Sequence, residues 1–207
     1  MSPYASQPFA DVLDRIAAPT ASPGGGTAAA LAGALGAAVG QMCAGLPRTR
    51  HGTPEERARL DDGVRDFAAH RARLVALAGD DARAVSALMK AARLPHDTGR
   101  QDEARTDALA EATREATRVP LETVRVCAAA LERLRDVAAM GARVAASDVG
   151  VAIGLLKTAA DGAASNVRAN LQGMDDEAFV RETTRQLSRL LDAVARAAHA
   201  ALAALQD

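Results

Sequence analysis

The chain has 207 residues, of which 49% are hydrophobic but only 2% are aromatic, so its core must come from the close approach of backbones rather than from large rings. Its 25 basic and 26 acidic residues leave a net charge of −1, which gives no reason to expect nucleic acid or an anionic membrane as a partner. Two cysteines in apolar stretches, Cys43 and Cys127, and the lack of a visible signal peptide predict a cytoplasmic protein with buried free thiols.

Helical periodicity runs through the chain, and no strand pattern appears. A short helix is predicted over residues 5–17. The next, over residues 24–46, is uncharged and long enough to span a bilayer. Its few large side chains fall on one face, however, and glycine and alanine form the other. We therefore predict a soluble core helix whose smooth face lets another helix approach closely, within one subunit or between two.

In the middle of the chain, the sequence pattern predicts several shorter helices. A capping box at Thr53–Glu56 marks the start of one that runs to about Ala78. Residues 79–81 (Gly-Asp-Asp) are interpreted as a break, with both aspartates at the start of a further short helix that ends at Arg93. A polar loop follows.

The remaining elements complete an all-α fold. Residues 103–118 and 120–140 are predicted as separate helices, because Pro120 should end the first. Ser147 is the predicted N-cap of a helix that reaches residue 171, and a last helix covers about 176–205. The whole chain is thus predicted to be one multi-helical domain, a bundle of seven to nine helices.

The most informative stretch is Pro23-Gly24-Gly25-Gly26-Thr27. A glycine-rich turn that leads into a helix offers unpaired N–H groups and the positive end of the helix dipole. That arrangement suits an anion or a developing oxyanion. The alternative is a tight turn whose glycines only allow close packing.

Polar residues near the predicted helix over 147–171 are a second candidate group. Asp148 is either a capping carboxylate or a group that faces a pocket, as a general base or as a partner for a substrate cation. Asn166 shares its helix face but lies about 27 Å further along the axis, so the two cannot touch one reacting carbon from a single subunit. Asn166 and Asn170 either tie helices together, which we favour, or line a long cavity shared between subunits.

No metal site is expected. His51, His70, His96 and His199 show no metal-binding spacing with one another or with cysteine and carboxylate side chains. No nucleophile elbow, phosphate-binding loop or dinucleotide fingerprint is present.

Several dispersed motifs together resemble one enzyme family. Three stretches occur in the order found in that family: Pro23–Thr27, Ser147–Ala152 and Asn166–Leu171. A fourth, Asp81–Val85, matches a further pattern of the family except that valine replaces phenylalanine. In this the chain resembles the cyclodeaminase/methenyltetrahydrofolate cyclohydrolase family of folate enzymes, over about residues 9–190. The family hydrolyses the methenyl bridge of tetrahydrofolate, or closes formiminotetrahydrofolate with loss of ammonia.

The resemblance implies an all-helical homodimer that binds a tetrahydrofolate derivative near the subunit interface, without a metal or a redox cofactor. It implies Asp148 and Asp81 as the catalytic acid/base candidates. The implied substrate-binding residues are Pro23, Gly24, Gly25, Gly26, Thr27, Ser147, Asn166 and Asn170.

Two departures from the family pattern leave alternatives open. The lysine-rich segment that usually follows the glycine helix is missing. Arg48 and Arg50 either take its cationic role and hold a glutamate tail, or belong to a solvated loop. Ala142 stands where asparagine is common. The chain is therefore either a folate enzyme, a relative recruited to another cyclic amidine or imine in specialised biosynthesis, or a non-catalytic helical dimer that binds a ligand.

Overall fold

The computed structural model describes residues 2–46 and 52–206, which form six α-helices and one short 3-10 helix. The α-helices are α1 (Phe9–Ala17), α2 (Gly25–Gly45), α3 (Pro54–Ala92), α4 (Gly99–Met140), α5 (Ala146–Leu171) and α6 (Glu177–Ala204), and the 3-10 helix is Arg143–Ala145. The all-α prediction is confirmed, but seven to nine helices is wrong, because two predicted breaks do not exist.

The first missing break is at residues 79–81, which lie inside α3. A glycine in a helix costs only about 1 kcal/mol relative to alanine, and buried neighbours such as Leu77 and Ala78 offset that cost by packing. Asp80 caps nothing and instead pairs with Arg73 and Arg83 on the surface of the same helix.

The second missing break is at Pro120, which lies inside α4. Proline has no N–H, so the carbonyl of Ala116, one turn earlier, loses its helical partner. The side chain of Asn170 on α5 replaces that partner, because its Nδ2 donates to the Ala116 oxygen over 2.7 Å. Tertiary structure thus repairs the defect that the sequence pattern treats as a helix end.

This repair predicts a coupled effect on stability. N170A should lower the free energy of unfolding by about 1–3 kcal/mol, since it leaves a carbonyl without a donor. In a P120A background, the restored N–H should make N170A cost less, and chemical denaturation of the four proteins measures the difference. S165A removes an exposed bond on the same helix and should have little effect. Equal costs in both backgrounds would contradict the account.

Helices α2 to α5 form the core: α2 and α4 each pack against both α3 and α5, and α6 lies outside against α4 and α5. The glycine face of α2 allows this closeness. A Cβ on Gly36 would stand 2.9 Å from Leu156 Cγ, and one on Gly40 would stand 2.7 Å from the Phe67 ring. The smooth face therefore packs within the subunit, against α3 and α5.

By length and composition alone, helix α2 could cross a membrane. Half of its most apolar stretch, however, is buried inside the protein. Its bulky face remains partly uncovered, since Leu35 and Met42 are 51% and 46% exposed. Val151 on α5 is 54% exposed. These residues leave apolar surface on both α2 and α5.

The helix ends agree in part with expectation. The capping box of Thr53 and Glu56 is confirmed by reciprocal hydrogen bonds. Asp176 caps α6 through the N–H of Phe179. The predicted cap at Ser147 is wrong, because the preceding 3-10 turn carries the chain into α5 two residues earlier, with Ala145 as the N-cap and no capping side chain.

Candidate functional site

The candidate site lies where the start of α2 meets the C-terminal half of α3. Gly24, the N-cap of α2, offers no side chain to cap the helix. Asp81 of α3 supplies one from a distance of 54 residues in sequence: its Oδ2 accepts a 2.8 Å hydrogen bond from the Thr27 hydroxyl. The backbone N–H of Thr27 is also close enough to this carboxylate to lower its pKa. Two elements of the predicted site, the glycine turn and Asp81, are therefore joined.

Gly26 allows the carboxylate to come this close. A Cβ at Gly26 would lie 2.7 Å from the carboxyl carbon of Asp81, closer than side chains approach one another in proteins. Glycine is the residue type that leaves this space free. The neighbouring Pro23 and Thr27 are buried, whereas Gly25 is exposed.

The environment of Asp81 disfavours its charged form. Burial raises the pKa of the carboxyl above its ordinary value, and the hydroxyl and backbone N–H of Thr27 oppose that rise. A carboxylate with a raised pKa exchanges protons more readily near neutral pH, as acid/base catalysis requires.

Asn166 brings α5 to the same corner. Its Nδ2 donates to the Gly162 carbonyl of its own helix and stands 3.9 Å from the position that a Cβ on Gly25 would occupy. Asn170, one turn further along α5, instead donates a hydrogen bond to the Ala116 carbonyl of α4. Of the two asparagines, Asn166 is the one placed beside the glycine turn.

Asp148 and Ser147 lie at the other end of α2. Contacts run from Gly25–Asn166 through Gly33–Ala159, which shows that α2 and α5 are antiparallel. Burial and, second, the negative charge of Asp148 raise the pKa of the Cys43 thiol to about 11, so Asp148 lies near Cys43. Gly26 and Cys43 are separated by about 25 Å of helix. Within one chain, Asp148 and Asp81 therefore lie near opposite ends of α2.

The remaining candidates lie elsewhere. Arg48 and Arg50, like His51, fall outside the described residues. Ala142 is buried and lines a hollow with Ala204 and Leu205 near the C-terminal ends of α4 and α6. No group of three histidine, cysteine or carboxylate side chains suited to a metal occurs in residues 2–46 and 52–206.

The contact between Thr27 and Asp81 is the feature that sequence reasoning missed. Both residues are candidates from the sequence, but the pattern places Asp81 at the start of a separate short helix and does not link it to Thr27. A usable signal exists: α2 begins with three glycines and no capping side chain, so its first N–H groups need an acceptor from another part of the chain.

Comparisons with known proteins agree with the motifs. A family model described as formiminotransferase-cyclodeaminase matches residues 8–189. A methenyltetrahydrofolate cyclohydrolase from Methylorubrum extorquens is 36% identical, with 86% of each chain covered. A formimidoyltransferase-cyclodeaminase from Rattus norvegicus is 34% identical over 85% of this chain, which spans only 32% of that longer protein.

A solved structure supports the fold. The crystal structure of formiminotetrahydrofolate cyclodeaminase from Thermotoga maritima superposes with a TM-score of 0.87, at 24% identity, over 97% of this chain and 96% of that one. The resemblance proposed from the motifs is thereby confirmed. Since the family model spans most of the sequence, this chain belongs to the formiminotransferase-cyclodeaminase family.

Proposed function

We propose that the protein is a methenyltetrahydrofolate cyclohydrolase, which adds water to the carbon that bridges N5 and N10 of tetrahydrofolate. The observation that carries the proposal is the partly buried Asp81 carboxylate, which accepts a hydrogen bond from Thr27 at the glycine-rich start of α2. The stand-alone relative of similar length bears that name, whereas the longer relatives are named for transferase and cyclodeaminase activities together. These relatives favour a folate enzyme over a recruited or non-catalytic protein.

The geometry supports a simple acid/base route. The ionised Asp81 takes a proton from water as the oxygen bonds to the cationic bridge carbon, which gives a neutral tetrahedral carbinolamine. The carboxyl then returns its proton to N5 as the bond from carbon to N5 breaks and its electron pair stays on nitrogen. The hydroxyl proton leaves to solvent, and the product is 10-formyltetrahydrofolate. We propose that no metal or redox cofactor takes part.

The start of α2 supplies the electrostatic part of this route. The N–H groups of Gly25 and Gly26 come before the first helical hydrogen bonds and have no backbone partner within the helix. We propose that they hold an oxygen of the pterin or of the tetrahedral carbon. We propose that Asn166, beside Gly25, also contacts the substrate.

Thr27 should tune the pH dependence. T27V keeps the side-chain shape but removes the hydroxyl that lowers the pKa of Asp81, so this pKa should rise. Because the base must be ionised, the acid limb of the profile of kcat/KM against pH should move to higher pH. T27S keeps the hydroxyl and serves as the control. An acid limb that stays in place in T27V would show that it does not report Asp81.

We also propose that the protein is a homodimer, joined by the exposed apolar surface of α2 and α5 that includes Leu35, Met42 and Val151. Leu35 stands at the middle of α2. A two-fold axis close to it, with the two copies of α2 antiparallel, would bring the Asp148 end of one subunit to the Asp81 end of the other. In such a dimer, the partner subunit's Asp148 would face the cationic bridge and stabilise it.

Mixed dimers test this arrangement. If D81N and D148N are each inactive, refolding them together should restore up to about a quarter of wild-type activity, because each mixed dimer regains one site with both aspartates. No restoration, with mixed dimers shown to form, would mean that one subunit must supply both aspartates and would contradict the shared site. Light scattering of L35E should show a monomer, and L35M, which keeps an apolar side chain, should remain a dimer.

The choice between two reactions needs one comparison. The enzyme should be given 5,10-methenyltetrahydrofolate and formiminotetrahydrofolate separately, with loss of methenyl absorbance and release of ammonia as the readouts. We expect kcat/KM to be higher for the methenyl substrate. Faster ammonia release would make the protein a cyclodeaminase and would overturn the proposal. We propose a cytoplasmic location.

A further inference from the structure

The side of α3 that carries Asp81 continues past the start of α2. Contacts run from Gly26–Asp81 to Gly40–Phe67, which shows that α2 and α3 are antiparallel. Asp81 is therefore level with the first turn of α2, whereas α3 continues to Ala92, about 16 Å further along its axis. This last part of α3 and the first part of α4 form a helical hairpin that extends beyond α2.

The hairpin has an outer and an inner side. On α3, a hollow on the outer side is lined by Ala87, Lys90, Ala91 and Leu94. Val85 and Leu88 do not belong to that lining. They follow Asp81 by four and seven residues, so they share its side of the helix, which is the inner side. Both side chains are half-buried, and the exposed part of each is open to a ligand.

Val85 is the immediate neighbour of the Asp81 side chain. Residues four apart on a helix have Cβ atoms about 5–6 Å from each other. Helical side chains also lean towards the N-terminus of their own helix, which brings the Val85 side chain back towards the turn of Asp81. A molecule held between the Asp81 carboxylate and the start of α2 therefore lies against Val85. A flat ring that extends from there along the hairpin lies against Leu88.

Hydrogen bonds hold the hairpin in position at both of its ends. Near the tip, Arg105 Nε of α4 donates to the Ala92 carbonyl at the end of α3 over 3.4 Å. At the base, Asn170 of α5 donates to the Ala116 carbonyl of α4. The inner side is thus an apolar surface that is tied to the same helices as the glycine turn and Asn166.

We propose that Val85 and Leu88 form an apolar wall of the substrate site, against which the flat pterin ring of the folate lies while Asp81 acts on the bridge carbon. The inference rests on the proposed function and adds substrate contacts to it. Both side chains bind and orient the ring, and neither takes part in moving protons.

Replacing Val85 or Leu88 with alanine tests the wall. Each change removes apolar contact with the ring, so KM for 5,10-methenyltetrahydrofolate should rise about three- to tenfold, while kcat should change less than about twofold. L94A is the matched control, because Leu94 is 39% exposed on the outer side of the hairpin and should not affect KM. An unchanged KM in either folded variant, or an equal rise in L94A, would overturn the inference.

Circular dichroism and the melting temperature without ligand show whether each variant is folded. V85T is a second variant should V85A not fold, because it keeps the size of the side chain. Its hydroxyl would lie against the ring, so KM should rise here too, and an unchanged KM in V85T would overturn the wall.

A binding measurement separates a failure of this inference from a failure of the proposed function. Calorimetry with 5-formyltetrahydrofolate should show binding by V85A and L88A that is about three- to tenfold weaker than binding by the wild type. If the wild type neither binds this probe nor hydrolyses the methenyl substrate, the proposed function fails, and the inference fails with it. If the wild type is active and all three proteins bind the probe equally, only the wall is overturned.

A shortened substrate tests which part of the folate meets the wall. 5,10-Methenyltetrahydropteroate has the same ring system but no glutamate. If the ring lies on the wall, V85A and L88A should raise KM by the same factor for both substrates. A rise with the folate and none with the pteroate would place the wall against the glutamate and overturn its assignment to the ring.

Discussion

Replacing Gly26 with alanine should lower turnover on the order of a hundredfold or more while leaving the protein folded. The new Cβ would stand 2.7 Å from the Asp81 carboxyl carbon, so the carboxylate must leave the start of α2. The carboxylate is at the end of a short side chain that can rotate, so neither α2 nor α3 needs to move. The expected loss is that of a misplaced general base, because the residue remains present.

The measurement is kcat for methenyl hydrolysis in G26A beside G45A. Gly45 is the last residue of the same helix, and a Cβ there would make an ordinary 3.6 Å contact with Val64. G45A should therefore keep near-normal activity. Full activity in G26A would mean that the contact between Asp81 and α2 is not needed for catalysis.

Replacing Asp81 with asparagine should raise the melting temperature at neutral pH while it removes activity. Burial raises the pKa of this carboxyl in the folded protein, so the native state binds its proton more tightly than the unfolded chain does. Stability is therefore lost as pH rises from the unfolded value of 3.8 through the raised native value. Asparagine carries no charge at any pH, so the stability of D81N does not fall in this way as the pH rises. It can still bond to Thr27 through its oxygen and its amide.

Thermal unfolding of D81N and the wild type from pH 4 to pH 8 measures this effect. The gap between the two melting temperatures should be smallest at the acid end, where the wild-type carboxyl is protonated, and should widen as the pH rises. For a chain of this size, a change of 1 kcal/mol in the free energy of unfolding shifts the melting temperature by about 2–4 °C. A melting temperature of D81N below that of the wild type at pH 8 would show that Asp81 mainly caps α2, with the charge favourable.

The general shape of the fold could be predicted because local patterns report it. The two faces of α2 and the inward set of α4 that includes Val124, Cys127 and Leu131 follow helical periodicity, and the structure buries that set completely. The breaks at Gly79 and Pro120 could not be judged locally. The first depends on Ser2 and Pro3, which fill the space beside the glycine, and the second on Asn170 from another helix.

The site was predictable as a set of residues but not as an arrangement. Its glycine turn and aspartates are visible in the chain because of their motifs. Which aspartate meets the turn depends on how α2 lies between α3 and α5, and that packing is set by Gly33, Gly36 and Gly40. From the sequence, Asp148 is the first acid/base candidate and Asp81 the second, whereas the structure joins only Asp81 to the glycine turn within one chain.

The most direct test is the rate at which 5,10-methenyltetrahydrofolate loses its absorbance, measured at one pH with the wild type and with D81N. We expect an enzyme-dependent loss that D81N lowers on the order of a hundredfold. Loss no faster than the spontaneous rate with the folded wild type would contradict the folate reaction. A D81N protein as fast as the wild type would contradict the assignment of the site.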